Sequence, residues 1–286
     1  ARFVDPVSRE TSGELNVRSD RVVVAGGGVG SPMLLLRSGL ANGSGMVGKN
    51  FFINPGYLTF GLFDRELNNH RGIPNAYTVT EFREARRDGG RYVEGGYLML
   101  SSHLYPSLTS AVLAGFGEDL GRQMGLYHRL ASQYSVLDDE EPGEVRMGAD
   151  GRARVHYRLR GDDVLKARDF LKKSARILLA AGAKEVWVPN NRRTVVRDED
   201  EIARIDEIDF APNTILSGGP HLLGTCRMGA DPETSVVDAR CESHEVKGLY
   251  VVDGSAIPTS MSVDPSLTIA ALSDKVGRRM IAEARA

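Results

Sequence analysis

LYVVDGSAIPTSMSVDPSLTIAAL, residues 249–272, reads as a strand, a turn and a helix in succession. Gly248 to Val252 predict a strand, and Asp253 and Gly254 stand at its carboxyl end, where open α/β sheets bind ligands. After the loop through Pro258 and Thr259, Asp264 and Pro265 have the chemistry of an N-cap and a first helical residue. Ile269, Leu272, Val276 and Met280 recur on one face of the helix they would open. The amino end of such a helix offers unpaired backbone N–H groups and partial positive charge, worth about 0.3–1 kcal/mol to an exposed anion and up to roughly 2 when partly buried. Upstream, GGPHLLGTCRMG, residues 218–229, carries His221 between glycines, so an imidazole can reach a bound substrate from a loop. His221 either acts there as a base or hydrogen-bonds a loop carbonyl. Asp253 either lies against a ligand or is the acid of an Asp-Gly turn.

A second strand-turn-helix unit lies near the start. Arg21 to Ala25 predict a short apolar strand, and Gly26, Gly27, Gly28 and Gly30 follow before a helix. Ser31 suits its N-cap, Pro32 its first position, Leu34 to Leu36 a buried face and Gly39 a left-handed cap. A turn of this kind either holds a phosphate or is a structural glycine turn. Gly26, Gly28 and Ser31 stand where the dinucleotide fingerprint asks for three small residues ending in Gly or Ala, and VGKNFFINPG supplies no acid for a ribose hydroxyl.

The intervening residues, from about 57 to 209, read differently. Tyr92 to Leu100 and Arg152 to Leu159 alternate as antiparallel strands do. Asp162 is expected to cap an amphipathic helix with Val164, Ala167, Leu171, Ala175 and Leu178 on one face, Arg168, Lys172 and Lys173 on the other, and Gly182 closing it. PNNRRTVVRDEDEIARIDE reads as a solvated connection, although Asn190 and Asn191 could also reach a ligand. The fold class is therefore α/β (α+β): part of a Rossmann-like domain plus a second domain with a mixed or antiparallel sheet and helices. The expected division is 1–56 and 210–286 in the first domain and 57–209 in the second.

Composition excludes several classes. Of 286 residues 41% are hydrophobic and 26% charged, ordinary for a globular chain, and a net charge of -2 offers no basic face for nucleic acid. No apolar run approaches the roughly 20 residues that span a bilayer. Two cysteines and six scattered histidines give neither a disulfide framework nor metal-ligand spacing, so no metal is expected. Small molecules are the expected partners. The opening ARFVDPVSRETSGELNVRSDRVVVAGG reads as a hairpin feeding a strand, beginning as if in mid-domain. What precedes Ala1 is expected on another chain or removed by processing.

Three segments, GGGVGSPMLLLRSGL, HLLGTCRMGADPETSVVD and LYVVDGSAIPTSMSVDPSLTIAAL, in this order and spacing, resemble the glucose-methanol-choline (GMC) family of flavin oxidoreductases, here its C-terminal half. The resemblance implies FAD at the seam of two domains. It makes His221 the active-site base, with hydride passing from the same carbon to flavin N5. It sets Asp253 and Gly254 near the ribityl chain or pyrophosphate, and the backbone of Pro265, Leu267 and Thr268 near the flavin pyrimidine edge. Asp264 departs from the family, which usually has histidine or asparagine there. It is either an acceptor or second base beside His221 that raises the imidazole pKa, or a helix N-cap without substrate contact. Cys226 and Met228 are expected to pack, and Arg227 to pair locally. The expected function is an FAD-dependent alcohol or sugar dehydrogenase, or an oxidase, acting on a sugar or glycoside hydroxyl. A second chain would supply the N-terminal flavin-binding half, and the electron acceptor is left open. The competing class is a non-redox lyase or structural subunit on the same fold.

Overall fold

The computed structural model describes residues 2–73 and 75–285. In chain order the elements are β1 (Arg2–Val4), β2 (Thr11–Glu14), β3 (Val22–Val24), α1 (Gly27–Ser38), β4 (Leu58–Leu62), β5 (Thr78–Val79), β6 (Arg86–Asp88), β7 (Arg91–Glu94) and β8 (Tyr97–Ser102). There follow α2 (Pro106–Val112), α3 (Gly117–Gly125), β9 (Leu130–Leu137), β10 (Glu144–Met147), β11 (Ala153–His156), α4 (Asp162–Ala180), β12 (Glu185–Val188), β13 (Thr194–Val196), β14 (Leu249–Val251) and α5 (Ser266–Arg285).

The central sheet has the order β13-β12-β4-β9-β8-β5, and every neighbouring pair in it is antiparallel. Helix α4 lies on it. Ala167, Phe170, Leu171, Ala175 and Leu178 are buried from the helix, and Tyr97, Met99, Val186 and Val188 meet them from the strands in one apolar cluster. The expected strand over Tyr92 to Leu100 is interrupted between β7 and β8, because Gly95 and Gly96 take φ of +83° and +81°. The strand expected over Arg152 to Leu159 shortens to β11. Asp162 is the first residue of α4 rather than its cap, which is Gly161. The buried face of α4 starts with Asp163 and Lys166 rather than Val164. These two form a fully buried ion pair at 3.1 Å, and both reach the loop after β9. Asp163 accepts the N–H of Glu140 (3.1 Å) and of Glu141 (3.2 Å), while Lys166 meets Glu140 Oε1 at 2.8 Å. The segment expected to be a solvated connection is partly structural, since Asn190, Ile202 and Ile205 are buried.

A second cluster joins the two ends of the chain: Val24, Leu35 and Val47 pack with Val236, Val251, Ala256 and Val276. Its frame is β3 beside β14, paired in parallel with Val22 opposite Leu249 and Val24 opposite Val251. We propose the expected division into 1–56, 57–209 and 210–286 on the strength of these two clusters. At the amino end, β1 and β2 form the expected hairpin.

Helix α1 starts at Gly27, four residues before the expected cap Ser31, so Pro32 lies inside it. Proline has no N–H to return to the carbonyl of residue i−4, here Gly28. That carbonyl accepts the Thr225 hydroxyl instead, at 2.7 Å. With no helix end to cap, the Ser31 hydroxyl accepts the Gly26 N–H (2.8 Å) and donates to Asp253 Oδ2 (2.5 Å). Leu34 is 51% exposed, so the buried face expected at Leu34 to Leu36 narrows chiefly to Leu35. Gly39 has the expected left-handed conformation, φ +64°.

Candidate active site

Because β3 and β14 run parallel, the turns at their carboxyl ends lie side by side, and Asp253 joins them. Its Oδ2 accepts from Gly27 N (2.9 Å) and Ser31 Oγ, and its Oδ1 from Ser255 N (2.7 Å) and Ser255 Oγ (2.6 Å). Four donors within the chain therefore engage the carboxylate. Asp253 orders the turn, and the Gly27 N–H, one of the free donors expected at the start of α1, is turned inward to it.

Two glycines then admit the His221 segment. A Cβ on Gly28 would lie 2.5 Å from the Leu222 carbonyl oxygen, and one on Gly254 would lie 2.9 Å from the same atom. Leu222 is thus seated where only glycine leaves room. The chain beyond it is stitched to the turn after β14 by Cys226 N–H to Ser255 O (2.8 Å) and Met228 N–H to Ala256 O (2.9 Å). Cys226 is buried, which pushes its thiol up to about 12, and Arg227 donates to Thr234 O. On the other side, isolated bridges pair Phe52 with Leu223 and Gly56 with Gly218, so Asn54 comes beside Pro220 and His221 in register.

His221 and Asp264 meet: Nε2 lies 3.0 Å from Oδ1, with the imidazole 11% exposed and the carboxylate 54%. Burial holds the imidazole below its ordinary pKa, outweighing the upward pull of Asp264 and of the negative charge of Asp139. The expectation that Asp264 raises the imidazole pKa has the right sign for that one contact, yet burial wins and the net shift is downward. Nδ1 is buried with no partner among the described residues. The N-cap reading of Asp264 does not hold, because α5 begins at Ser266 and the carbonyl of buried Pro265 accepts the first helical bond, from Ile269 N–H at 2.9 Å. The N–H groups of Ser266, Leu267 and Thr268 have no partner among the described residues, and the Leu267 side chain is 82% exposed.

Asn190 and Asn191 lie elsewhere, in the wall of a cavity of about 830 Å³. Asn190 is 5% exposed and spends its side chain on its own loop, donating to Thr194 Oγ1 (2.8 Å) and accepting Arg192 N–H (2.9 Å). Asn191 is exposed. The remaining wall mixes apolar Ile53, Leu113, Phe116, Phe210, Ile215 and Leu216 with polar Arg158, Arg193, Asn213, Thr214 and Ser217. Its lining comes near the His221 segment through Ser217 and through Ile53, against whose side chain Gly219 packs.

Sequence reasoning missed a buried carboxylate behind the pair. Asp139, 1% exposed, accepts the N–H of Ile53 (3.1 Å) and Asn54 (3.2 Å) and the hydroxyls of Tyr157 (3.0 Å) and Ser260. In the sequence it sits in DDEE, which reads as a solvated acidic run. Among the described residues no cluster of three or more metal-ligating side chains occurs, and no helix is long and apolar enough to cross a membrane.

Strand ends, a glycine-seated histidine segment and an open helix start are thus gathered at one place in the fold. Two family models of GMC oxidoreductase match, the C-terminal one over residues 139–273 and the N-terminal one over residues 5–56. The chain belongs to the GMC oxidoreductase family, and its cofactor is FAD. It is 31% identical over 273 residues to a GMC-type oxidoreductase of Mycobacterium tuberculosis, covering 94% of this chain and 41% of that protein. Identity to a long-chain-alcohol oxidase of Arabidopsis thaliana is 29% over 286 residues, covering 94% and 38%. A 2-methyl-1,2-propanediol dehydrogenase of Mycolicibacterium austroafricanum is 25% identical over 297 residues, covering 95% and 49%. Among solved structures, pyridoxine 4-oxidase from Mesorbium loti matches with a TM-score of 0.67 at 19% identity, over 94% of this chain and 52% of that one. Formate oxidase from Aspergillus oryzae matches with a TM-score of 0.62 at 18% identity, over 93% and 54%. These two share the fold. The chain spans about two fifths of the length of the first of these relatives. The expected second chain carrying an N-terminal half finds no support, since the family's N-terminal and C-terminal models both match within this one chain.

Proposed function

We propose that this protein oxidises an alcohol with FAD, with His221 as the base and Asp264 as its charge partner. The observation that carries the reading is an imidazole held uncharged by burial, with a carboxylate 3.0 Å from Nε2, in the loop structure beside the open start of α5. An uncharged imidazole can receive a hydroxyl proton, and general-base help of this kind contributes about 10²–10⁴ in rate. Nε2–H donates to Asp264 Oδ1, so the proton is received at Nδ1, whose lone pair has no partner among the described residues, and the positive charge so formed is shared with the Nε2 edge beside Asp264. A carboxylate at this position is thereby reconciled with oxidation chemistry: it faces an imidazolium at the moment charge develops.

The residues suit FAD. The free N–H groups of Ser266, Leu267 and Thr268 favour an anionic ring edge, and exposed Leu267 offers it an apolar contact. Leu267 and Thr268 would hold the ring through their backbone, with Pro265 fixing the turn. Asp253 and Gly254 would shape the site rather than bond to the cofactor through a side chain, since Asp253 is engaged within the chain. When bound, FAD supplies the hydride acceptor.

The expected sugar or glycoside rests on Asn190 and Asn191, and Asn190 is consumed by its own loop. The apolar part of the cavity wall, Ile53, Leu113, Phe116, Phe210, Ile215 and Leu216, favours a hydroxyl on an apolar body instead. The test is anaerobic addition of straight-chain alcohols and of a sugar panel to the FAD-loaded enzyme, followed by visible absorbance. Bleaching by alcohols, with kcat/KM rising along the chain series, is expected. A spectrum that stays oxidised with every compound would leave a lyase or structural role as the better reading, and bleaching by sugars alone would restore the polar substrate.

A further inference from the structure

Three parts of the molecule converge on one carboxylate that takes no part in the chemistry above. Asp139 follows β9 in a loop whose neighbours are pinned by the buried Asp163–Lys166 pair. Its Oδ2 receives the Ile53 N–H and the Tyr157 hydroxyl, and its Oδ1 the Asn54 N–H and the Ser260 hydroxyl. Each donor leads to a part of the site. Ile53 and Asn54 belong to the segment bridged antiparallel to residues 218–223, which carry His221. Ser260 lies in the loop that ends at Asp264, and its hydroxyl also accepts the Asp139 N–H at 3.1 Å. Asn54, fully buried, doubles this link by donating to Ser260 Oγ at 2.9 Å and to the Met261 carbonyl. Tyr157 lines the cavity.

We propose that Asp139 is the positioning residue of the site: one buried carboxylate fixes the strand beside His221, the loop bearing Asp264 and a wall of the cavity, and keeps a negative charge behind the imidazole. Burial pushes the Asp139 carboxyl up, and the four donors shared between its two oxygens oppose that push by favouring the ionised form. The charges that face His221 are then Asp264 from the loop before α5 and Asp139 from the loop after β9. Tyr134 on β9, pushed up to about 12 by burial and by Asp264, remains an uncharged phenol. Asparagine at 139 would turn an amide N–H toward one of the two donor pairs and remove the charge. Alanine at 260 would keep the charge and weaken the link to the Asp264 loop, removing the Ser260 hydroxyl bonds and leaving that of Asn54 to the Met261 carbonyl.

The inference rests on the proposed role of His221, and its test separates the two. His221 is titrated by NMR in the wild-type FAD-loaded enzyme, in Asp139→Asn and in Ser260→Ala, alongside flavin reduction over a pH series and thermal unfolding. In Asp139→Asn the imidazole is expected to titrate lower by roughly 0.3 unit or more, and kcat to fall at least about tenfold with KM within about threefold, as misplacement of a catalytic group predicts. Ser260→Ala, which keeps the charge, is expected to lose kcat in the same way and to alter the His221–Asp264 coupling in the titration. Folded variants that melt lower but keep the wild-type titration, pH profile and kcat would overturn the proposal and leave Asp139 a merely structural acid. If Asp139→Asn does not fold, Ser260→Ala alone decides by the same criteria. If no alcohol reduces the wild-type flavin, the proposed function fails, while the NMR titrations still judge Asp139.

Discussion

Replacing Asp264 by asparagine keeps the side chain's shape and removes the charge beside His221. Two unit charges about 4 Å apart interact by about 1 kcal/mol in water and about 4 kcal/mol at an effective dielectric near 20. Asp264 is 54% exposed, so the solvent-screened end of that range applies. About 1 kcal/mol corresponds to roughly 0.7 of a pH unit and about a fivefold change in rate. The sign follows from the causes of the shift: burial already lowers the imidazole, Asp264 pulls it up, and removing that pull lowers it further. The acidic limb of the rate of flavin reduction, already below the ordinary histidine value, is therefore expected to move down by roughly 0.7 unit in Asp264→Asn, with a plateau about fivefold lower. The assay is stopped-flow reduction of the FAD-loaded enzyme by an alcohol across pH, with His221 titrated separately. Since Pro265 rather than Asp264 opens the ladder of α5, the variant should keep its melting temperature to within the effect of about 0.5 kcal/mol typical of a surface change. A limb that stays in place or rises, together with a clear loss of stability, would refute this reasoning.

His221→Ala should retain FAD while flavin reduction falls by about 10²–10⁴, measured in single turnover. Gly28→Ala puts a Cβ 2.5 Å from the Leu222 carbonyl oxygen, and a cost of about 1–3 kcal/mol in denaturant unfolding is expected, with slower flavin reduction. Lys166→Met strands Asp163 in the core without its partner and should cost about 3–5 kcal/mol by the same measurement. Thr225→Val leaves the Gly28 carbonyl without its donor and should cost about 1–3 kcal/mol.

Much of the fold was legible because the decisive segments follow local rules. A hydrophobic strand, an Asp-Gly turn and a helix with Ile269, Leu272, Val276 and Met280 on one face can be read from residues 248–280, and Val276 is buried as that face requires. Helix starts mislead where a distant residue supplies the missing partner. Ser31 and Pro32 look like a cap and a first residue, yet Thr225 and Asp253 let α1 begin earlier at Gly27. Asp264 likewise looks like a cap, and its carboxylate instead meets His221, 43 residues away in sequence. The juxtaposition of His221 with Asp264 is legible only through the family's pattern. Nothing in LDDEEPGEV distinguishes Asp139 from its acidic neighbours, because only the return of residues 53–54, 157 and 260 buries it. The charged Asp163 and Lys166 give no sign of an inward role, since hydrophobic periodicity cannot announce a buried ion pair.

The proline within α1 bears on the order in which the protein assembles. A rung that Pro32 cannot provide is supplied by a hydroxyl 197 residues further along the chain. The opening turn of that helix is therefore incomplete until the C-terminal segment docks. Contacts of such long sequence separation form late, after the chain has met the entropy of closing a large loop. In a nascent polypeptide the amides around Gly26 to Ser31 should exchange with solvent freely, and become protected in the same step that seats the histidine.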